Sequence, residues 1–464
     1  MARRPRGRDF LWLVLASGLV LVSRLPFLTP GYGADPDAWR TASAVRLIAE
    51  TGRYHESHSP GHPVQEWVGS LLWQTGPQGL NGATAVASAL SALFFGLACL
   101  ELGAGAWSAL AALALAFAPI VYIHSVDAMD YVWALCFSMA ALWLALSGRW
   151  VFAGIALGLA IGSRITAGLL LIPLLLLGAN ERKTWGGVGA FVILSLGIGA
   201  AMYVPNFLQH GMQIFALTPA PYPPLSRLLQ DTTLELWGTI GGLGVAVAIV
   251  ASLLGRPVVG VLKSHREWIA CAVLSILLYL VAFLRLPDEP AYLIPVVPFV
   301  VLVLARLARP ALFAAACACI LVSPYFLDLG RPDGAPARSG EIPLPGGQPL
   351  VILRPSEGAL FVDRRQRKTG MRNGIGIVTA IRNLKAPAAV VVASWLPQVE
   401  VMSHDTRPEG VRLVEYVRAG EADSLLRRGT TVYYVPGTEA GSLYYEHVDL
   451  ASIGARPLPY EPTP

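Results

Sequence analysis

Two aspartates one residue apart, Asp35-Pro36-Asp37, with Arg40 a helical turn further on, are the residues best equipped for chemistry in this chain. A carboxylate can take a proton from a hydroxyl, and two together can hold a divalent cation. Three later stretches carry related groups: His124 to Asp130 with Asp127 inside it, Gly158 to Arg164, and Arg285 to Tyr292 with Glu289 inside it. Apolar residues flank Arg164 on both sides, and an arginine in hydrocarbon costs about 3 kcal/mol or more unless an anion meets it. Each group also has a plainer use. Asp35 can cap a helix beginning at Pro36, Asp37 can sit in its first turn, Asp127 and Asp130 can be loop charges, and Arg285 can snorkel at an interface. His55, His58 and His62 are separated by Pro60 and Gly61 and so do not share a helical face. Contacts to a bound substrate suit His58 and His62 better than a metal does.

The elements that must position these residues are membrane helices. The chain is 464 residues long, 54% hydrophobic and only 14% charged, with a mean hydropathy of +0.55. Such a chain exposes too much apolar surface for water. Apolar stretches at 10–25, 80–102, 106–123, 130–147, 151–163, 165–179, 186–205, 235–254, 268–284, 291–307 and 310–325 make about eleven spans of bilayer length. The 151–163 and 165–179 pair is short and reads as half-length helices turning around Arg164. Basic residues recur at every second boundary: Arg3, Arg4, Arg6 and Arg8, then Arg149, Arg182 with Lys183, Arg256 with Lys263 and Arg266, and Arg306 with Arg309. The positive-inside rule makes those ends cytoplasmic, including the N-terminus, and places the four chemical stretches and the C-terminal part outside. Ser23-Arg24-Leu25-Pro26 offers no small-residue cleavage site, so the first span reads as retained.

The first external loop, 26–79, contains a helix from Pro36 to Thr51, opened by Asp35-Pro36 and closed by Gly52, and a second amphipathic stretch from Val64 to Gln74. Nearly half of the charged residues follow Tyr325. A Pro- and Gly-rich linker at 326–347 leads to a soluble α/β domain at 348–464, with strands near 350–353, 389–393, 412–416 and 431–435 and a helix at 422–428. The basic run Arg364-Arg365-Gln366-Arg367-Lys368 reads as a solvated loop or a contact to headgroups or anionic glycan. All five cysteines fall in apolar runs, which points to packing and not to disulfides or zinc. The arginines form no continuous stripe, so nucleic acid is not an expected partner.

In order and sidedness these motifs resemble the GT-C superfamily of membrane glycosyltransferases, which includes protein O-mannosyltransferases and aminoarabinose transferases. The resemblance spans most of 10–325, a polytopic α-helical catalytic domain at 1–325. It implies an inverting transfer of a hexose or pentose from a polyprenyl-phosphate or -diphosphate donor to a hydroxyl of a lipid, glycan or protein. The Asp-Glu pair of the family's first external loop aligns with Asp37-Ala38, so Asp37 takes the role of base, Ala38 replaces the Glu, and Asp35 is a second carboxylate. Other members carry Asp-x-Asp, which Asp35-Pro36-Asp37 matches and which leaves open which carboxylate acts. Asp127 resembles the acidic residue facing that loop, Arg164 the basic residue of the lipid-phosphate site, and Arg285 with Tyr292-x-x-Pro the late donor-binding loop. A divalent cation, Mg or Mn, at Asp35 and Asp37 stays open. Composition is compatible with a bacterial cell membrane. The rival classes are a flippase or transporter of lipid-linked sugars, against which no internal repeat is seen, and a non-catalytic glycan-assembly protein.

Overall fold

The computed structural model describes residues 7–178, 185–215, 222–255, 266–326, 341–343, 349–351, 358–436, 450–452 and 454–460. Outside them lie Arg3, Arg4, Arg6, Arg182, Lys183, Arg256, Lys263 and most of the linker expected at 326–347. The molecule is mostly helical. Among the described residues six helical segments are long and apolar enough to cross a membrane: Gly7–Phe27, Pro63–Glu101, Gly186–Ile214, Leu225–Leu254, Glu267–Arg285 and Pro290–Leu307. Trp107–Phe117, Tyr131–Leu146, Trp150–Ser163, Ile165–Gly178 and Pro310–Tyr325 are shorter apolar helices.

In chain order the helices that build the site are α1 (Gly7–Arg24), α2 (Pro36–Thr51), α3 (Pro63–Leu72), α4 (Gly76–Glu101), α5 (Trp107–Phe117), α6 (Pro119–Ile123), α7 (Tyr131–Leu146), α8 (Trp150–Ser163), α9 (Leu171–Gly178) and α10 (Trp185–His210). Local sequence explains their ends. Asp35 caps α2, its carboxylate accepting the Asp37 N–H at 2.7 Å, and Gly52 closes it in the left-handed conformation at φ 66°. The stretch expected as one span at 106–123 is broken, because Ala118 precedes Pro119 and takes the extended ψ of 129° that a following proline demands. Arg164 is likewise extended, at φ −156° and ψ 120°, between α8 and a 3-10 turn at Ile165–Leu170. Between the spans expected at 186–205 and 235–254 the described residues are largely helical: α10 continues through Pro205 to His210, and Leu225–Gln230 starts the next helix.

One glycine stripe fixes α8. A Cβ at Gly154 would lie 2.8 Å from the Phe191 carbonyl oxygen, at Gly158 2.7 Å from Ile198 Cβ, and at Gly162 2.7 Å from Met202 Cγ. Three glycines four residues apart thus let α8 press backbone to backbone on α10, the small-residue packing that membrane helices use in place of a hydrophobic drive. The stripe ends at Ser163-Arg164, so it sets where Arg164 emerges.

Arg24 closes α1 and is fully buried. Its Nε donates to Ser125 Oγ at 3.0 Å, its Nη2 donates to the Ala116 carbonyl, and its guanidinium lies 3.8 Å from the Tyr122 ring centroid. Tyr122 in turn donates to the Ser23 carbonyl at 2.6 Å. This pairing ties the first helix to the segment before α7.

The C-terminal part holds an antiparallel pair, β1 (Glu341–Pro343) with β2 (Pro349–Val351), and one small parallel sheet in the order β4-β3-β5-β6. Its strands are β3 (Ala388–Val391), β4 (Val411–Val414), β5 (Thr431–Tyr434) and β6 (Arg456–Pro457). Every residue of β3 is buried, as a central strand of four apolar residues must be. The basic run at 364–368 is not a loop: it lies on the helix Ala359–Arg382, which packs on α6, while the helix Leu396–Ser403 packs on α2. Both contacts bring this part against the elements of the site.

Candidate active site

Three carboxylates converge at the head of α2. Asp35, Asp37 and Glu289 each offer an oxygen, and these oxygens lie within 4.8 Å of one another. Asp35 and Asp37 are placed by the α2 cap. Glu289 comes from the turn before Pro290–Leu293 and accepts the Tyr131 hydroxyl. Burial pushes the Asp35 carboxyl up to about 7, helped by the charges of Glu289 and Asp37 and opposed by the Asp37 N–H. Burial also raises Glu289, with Asp37 adding to the rise and Tyr131 opposing it. Crowded acids of this kind share protons, because they cannot all ionise together. A divalent cation fits the same donor set, since it would replace those protons with a charge that three carboxylates can satisfy. Arg40 binds Asp37 at 2.5 Å and reaches Glu415, just past β4, at 3.5 Å.

A second cluster stands beside the first. Arg164 Nη1 donates to Asp130 Oδ2 at 2.6 Å, and its guanidinium lies 4.1 Å from the Tyr131 ring centroid and 4.8 Å from that of Tyr292. His62 Nδ1 is 3.1 Å from the same Asp130 oxygen and 2.9 Å from the Ser163 carbonyl. Both of those partners are acceptors, so Nδ1 carries the proton. His62 Nε2 meets His58 Nε2 at 2.9 Å. Arg164 and His62 thus both meet the buried Asp130 carboxylate, and His58 stands behind His62. Burial, then the neighbouring His62, lowers His58 to about 4. The histidine loop is folded by Glu66, fully buried, which accepts the Ser57 and His62 N–H groups at 2.8 and 2.9 Å and the Tyr54 hydroxyl.

Tyr131 joins the two clusters: its hydroxyl is on Glu289 and its ring is under Arg164. His124 packs on the Tyr131 ring with centroids 4.9 Å apart and pairs with Asp127 at 3.4 Å. Asp127 backs onto the first loop, where its Cβ would sit 3.1 Å from a Cβ at Gly33. A narrow cavity opens beside Arg164, lined by Tyr131, Ser138, Thr166, Tyr279 and Tyr292 among others. The Tyr279 hydroxyl there is buried and, among the described residues, meets no hydrogen-bond partner.

Asp35, Asp37, Arg40, His58, His62, Asp127, Asp130, Arg164, Glu289 and Tyr292 therefore meet at one end of the helices. Arg285 does not join them; it is exposed at the end of Arg266–Arg285, on the flank of the span and four residues before Glu289. Sequence reasoning gave no role to His124, Tyr131, Glu66 or Tyr279. The i, i+3 spacing of His124 and Asp127 was the one available signal. The arrangement offers a carboxylate group able to take a proton, next to an arginine walled by aromatic rings and able to hold an anion.

No protein-family profile matches the chain, and no curated protein sequence matches it. Among solved structures it is similar to ArnT from Cupriavidus metallidurans in the apo state, with a TM-score of 0.48 and 17% identity, over 81% of this chain and 66% of that one. The same enzyme bound to undecaprenyl phosphate gives a TM-score of 0.43 at the same identity and coverage. The match spans just under two thirds of the length of those structures.

Proposed function

We propose that this chain is an integral membrane glycosyltransferase of the GT-C kind, inverting, that moves a sugar from a polyprenyl-phosphate-linked donor to a hydroxyl acceptor. The observation that carries the reading is the meeting of Asp35, Asp37 and Glu289 with Arg164 and Asp130 across the single residue Tyr131. Sugar transfer from a lipid phosphate needs those two functions side by side. The bond between the anomeric carbon and the phosphate oxygen breaks with its electron pair going to the phosphate. The acceptor oxygen forms the new bond, and its proton passes to a carboxylate.

Asp37 is the base of this scheme and Arg40 orients it. Arg164, with Tyr292, offers charge-assisted hydrogen bonds and an aromatic wall to the departing phosphate. The Asp130–His62–His58 row holds Arg164 in place and lines the sugar side. A divalent cation at Asp35, Asp37 and Glu289 would supply further charge stabilisation. The six long apolar helices and the five shorter ones make a bundle of about eleven spans. Its N-terminus is cytoplasmic, and the site and the C-terminal part, read as a small α/β domain, face outward from a bacterial membrane.

The test is purified protein in nanodiscs with labelled polyprenyl-phosphate sugars, comparing wild type with Asp37→Asn and Arg164→Gln. Transfer by the wild type and its loss in both variants is the expected result. Full turnover in both variants would remove the assignment, and movement of the lipid-linked sugar across the bilayer without transfer would identify a flippase instead.

A further inference from the structure

The loop between α1 and α2 has little regular secondary structure, yet its backbone carbonyls are satisfied almost one by one, as buried carbonyls must be. Asn81 on α4 donates to the Leu28 and Gly31 carbonyls at 2.8 and 3.0 Å. The Ala128 N–H donates to Tyr32 at 2.8 Å, and the Trp39 indole donates to Gly33 at 3.2 Å. The largest share falls to Arg367, on the helix Ala359–Arg382. Its Nε donates to the Pro30 carbonyl at 3.0 Å, and its Nη1 donates to Phe27 and Val126, both at 3.0 Å. Its Nη2 donates to Gly31 at 3.0 Å and Leu28 at 3.4 Å. A guanidinium has five N–H donors, and here all of them are used. Arg367 is 3% exposed, with the Asp363 carboxylate 3.9 Å away as counter-charge.

We propose that Arg367 is a positioning residue for the carboxylate site, a cation on the C-terminal segment that sets the backbone of both loops from which Asp35, Asp37 and Asp127 project. The proposal rests on reading that cluster as the reacting site. Four of its five carbonyls lie within 27–31, just ahead of the Asp35 cap, and the fifth belongs to Val126, next to Asp127. One planar group thus bolts the first loop to the second. A lysine at this position keeps the charge but has three donors on a single nitrogen, which cannot span carbonyls spread around a fork. The C-terminal segment is then part of the site's construction, although it supplies no reacting group.

The experiment compares Arg367→Lys with wild type and with Lys368→Ala, an exposed neighbour on the same helix, in nanodiscs. Hydrogen exchange is read first, without substrate. Arg367→Lys is expected to speed exchange at 27–34 and 124–128 while the helix Ala359–Arg382 stays protected, and Lys368→Ala is expected to match wild type. In sugar transfer, kcat falls roughly ten- to a hundred-fold in Arg367→Lys, as small displacements of reacting groups do, while KM for the lipid donor stays within about two-fold. Arg367→Gln is held to the same readouts should the lysine variant not fold. Unchanged exchange in the two loops overturns the proposal whatever the activity, and so does an unchanged kcat with faster loops. Exchange needs no donor, so a wild type that transfers no sugar would count against the functional reading alone, and the clamp would still stand or fall on the exchange data.

Discussion

Asp35 and Asp37 are neighbours with different surroundings, so substitutions at the two should read differently. Asp37 has Arg40 at 2.5 Å, whereas Asp35 spends its carboxylate on the Asp37 N–H and is pushed up to about 7 by burial and by Glu289 and Asp37. Asp37→Asn is expected to lower turnover by about 10²- to 10⁴-fold, the usual worth of a positioned base, in an assay with labelled lipid-linked sugar. Asp35→Asn keeps a capping side chain, since Asn caps as well as Asp, so its effect is one of pH. A carboxyl raised on folding stabilises the fold fully below its unfolded value of about 4 and loses that contribution as pH rises through about 7. Thermal unfolding of the wild type should therefore weaken across that window. In Asp35→Asn the slope should flatten, and an unchanged slope would show that the Asp35 carboxyl is not buried among acids.

At the scale of elements, α8 and its glycines decide where Arg164 stands. Gly158→Leu puts a side chain where even a Cβ would lie 2.7 Å from Ile198 Cβ and 3.1 Å from the Leu194 carbonyl oxygen. Overpacking of this kind costs roughly 1–3 kcal/mol. The expected outcome is a lower unfolding temperature together with lost transfer, while Gly186→Ala, with open space around it, changes neither. What the sequence made legible was local. The α2 helix from Pro36 to Thr51 is written in Asp35-Pro36 at one end and Gly52 at the other, and the break at Arg164 in its polarity among apolar neighbours. Long-range pairings were not legible. His62 meets Ser163, 101 residues away, and no spacing rule reaches that far. Arg367 sits in a basic run that looks solvated by composition, yet helical geometry turns it inward, with Arg364 half-buried against Phe27, and leaves Arg365 and Lys368 exposed. The span expected at 186–205 runs on, because α10 continues through Pro205 to His210 although proline removes a backbone donor.

For the whole molecule, cysteine labelling reads out sidedness. The described cysteines are a quiet background: Cys99, Cys136, Cys271 and Cys317 are buried and Cys319 is half-buried. Asp405→Cys, at a side chain 92% exposed near β4, should react with an impermeant thiol reagent on intact cells. Arg149→Cys, between α7 and α8, should react only after the membrane is opened. The reverse pattern would turn the molecule over and place the carboxylates in the cytosol. Arg24 adds a consequence for anyone who shortens this protein. Because that cation is lodged among Tyr122, Phe117 and Ser125, a form trimmed past it would strip the ring and hydroxyl of their companion one residue from His124. Such a form would also lose Leu13 and Val20, both fully buried, and with them the packing of α1 on α4 and α5, so the first helix is a pillar under the second loop.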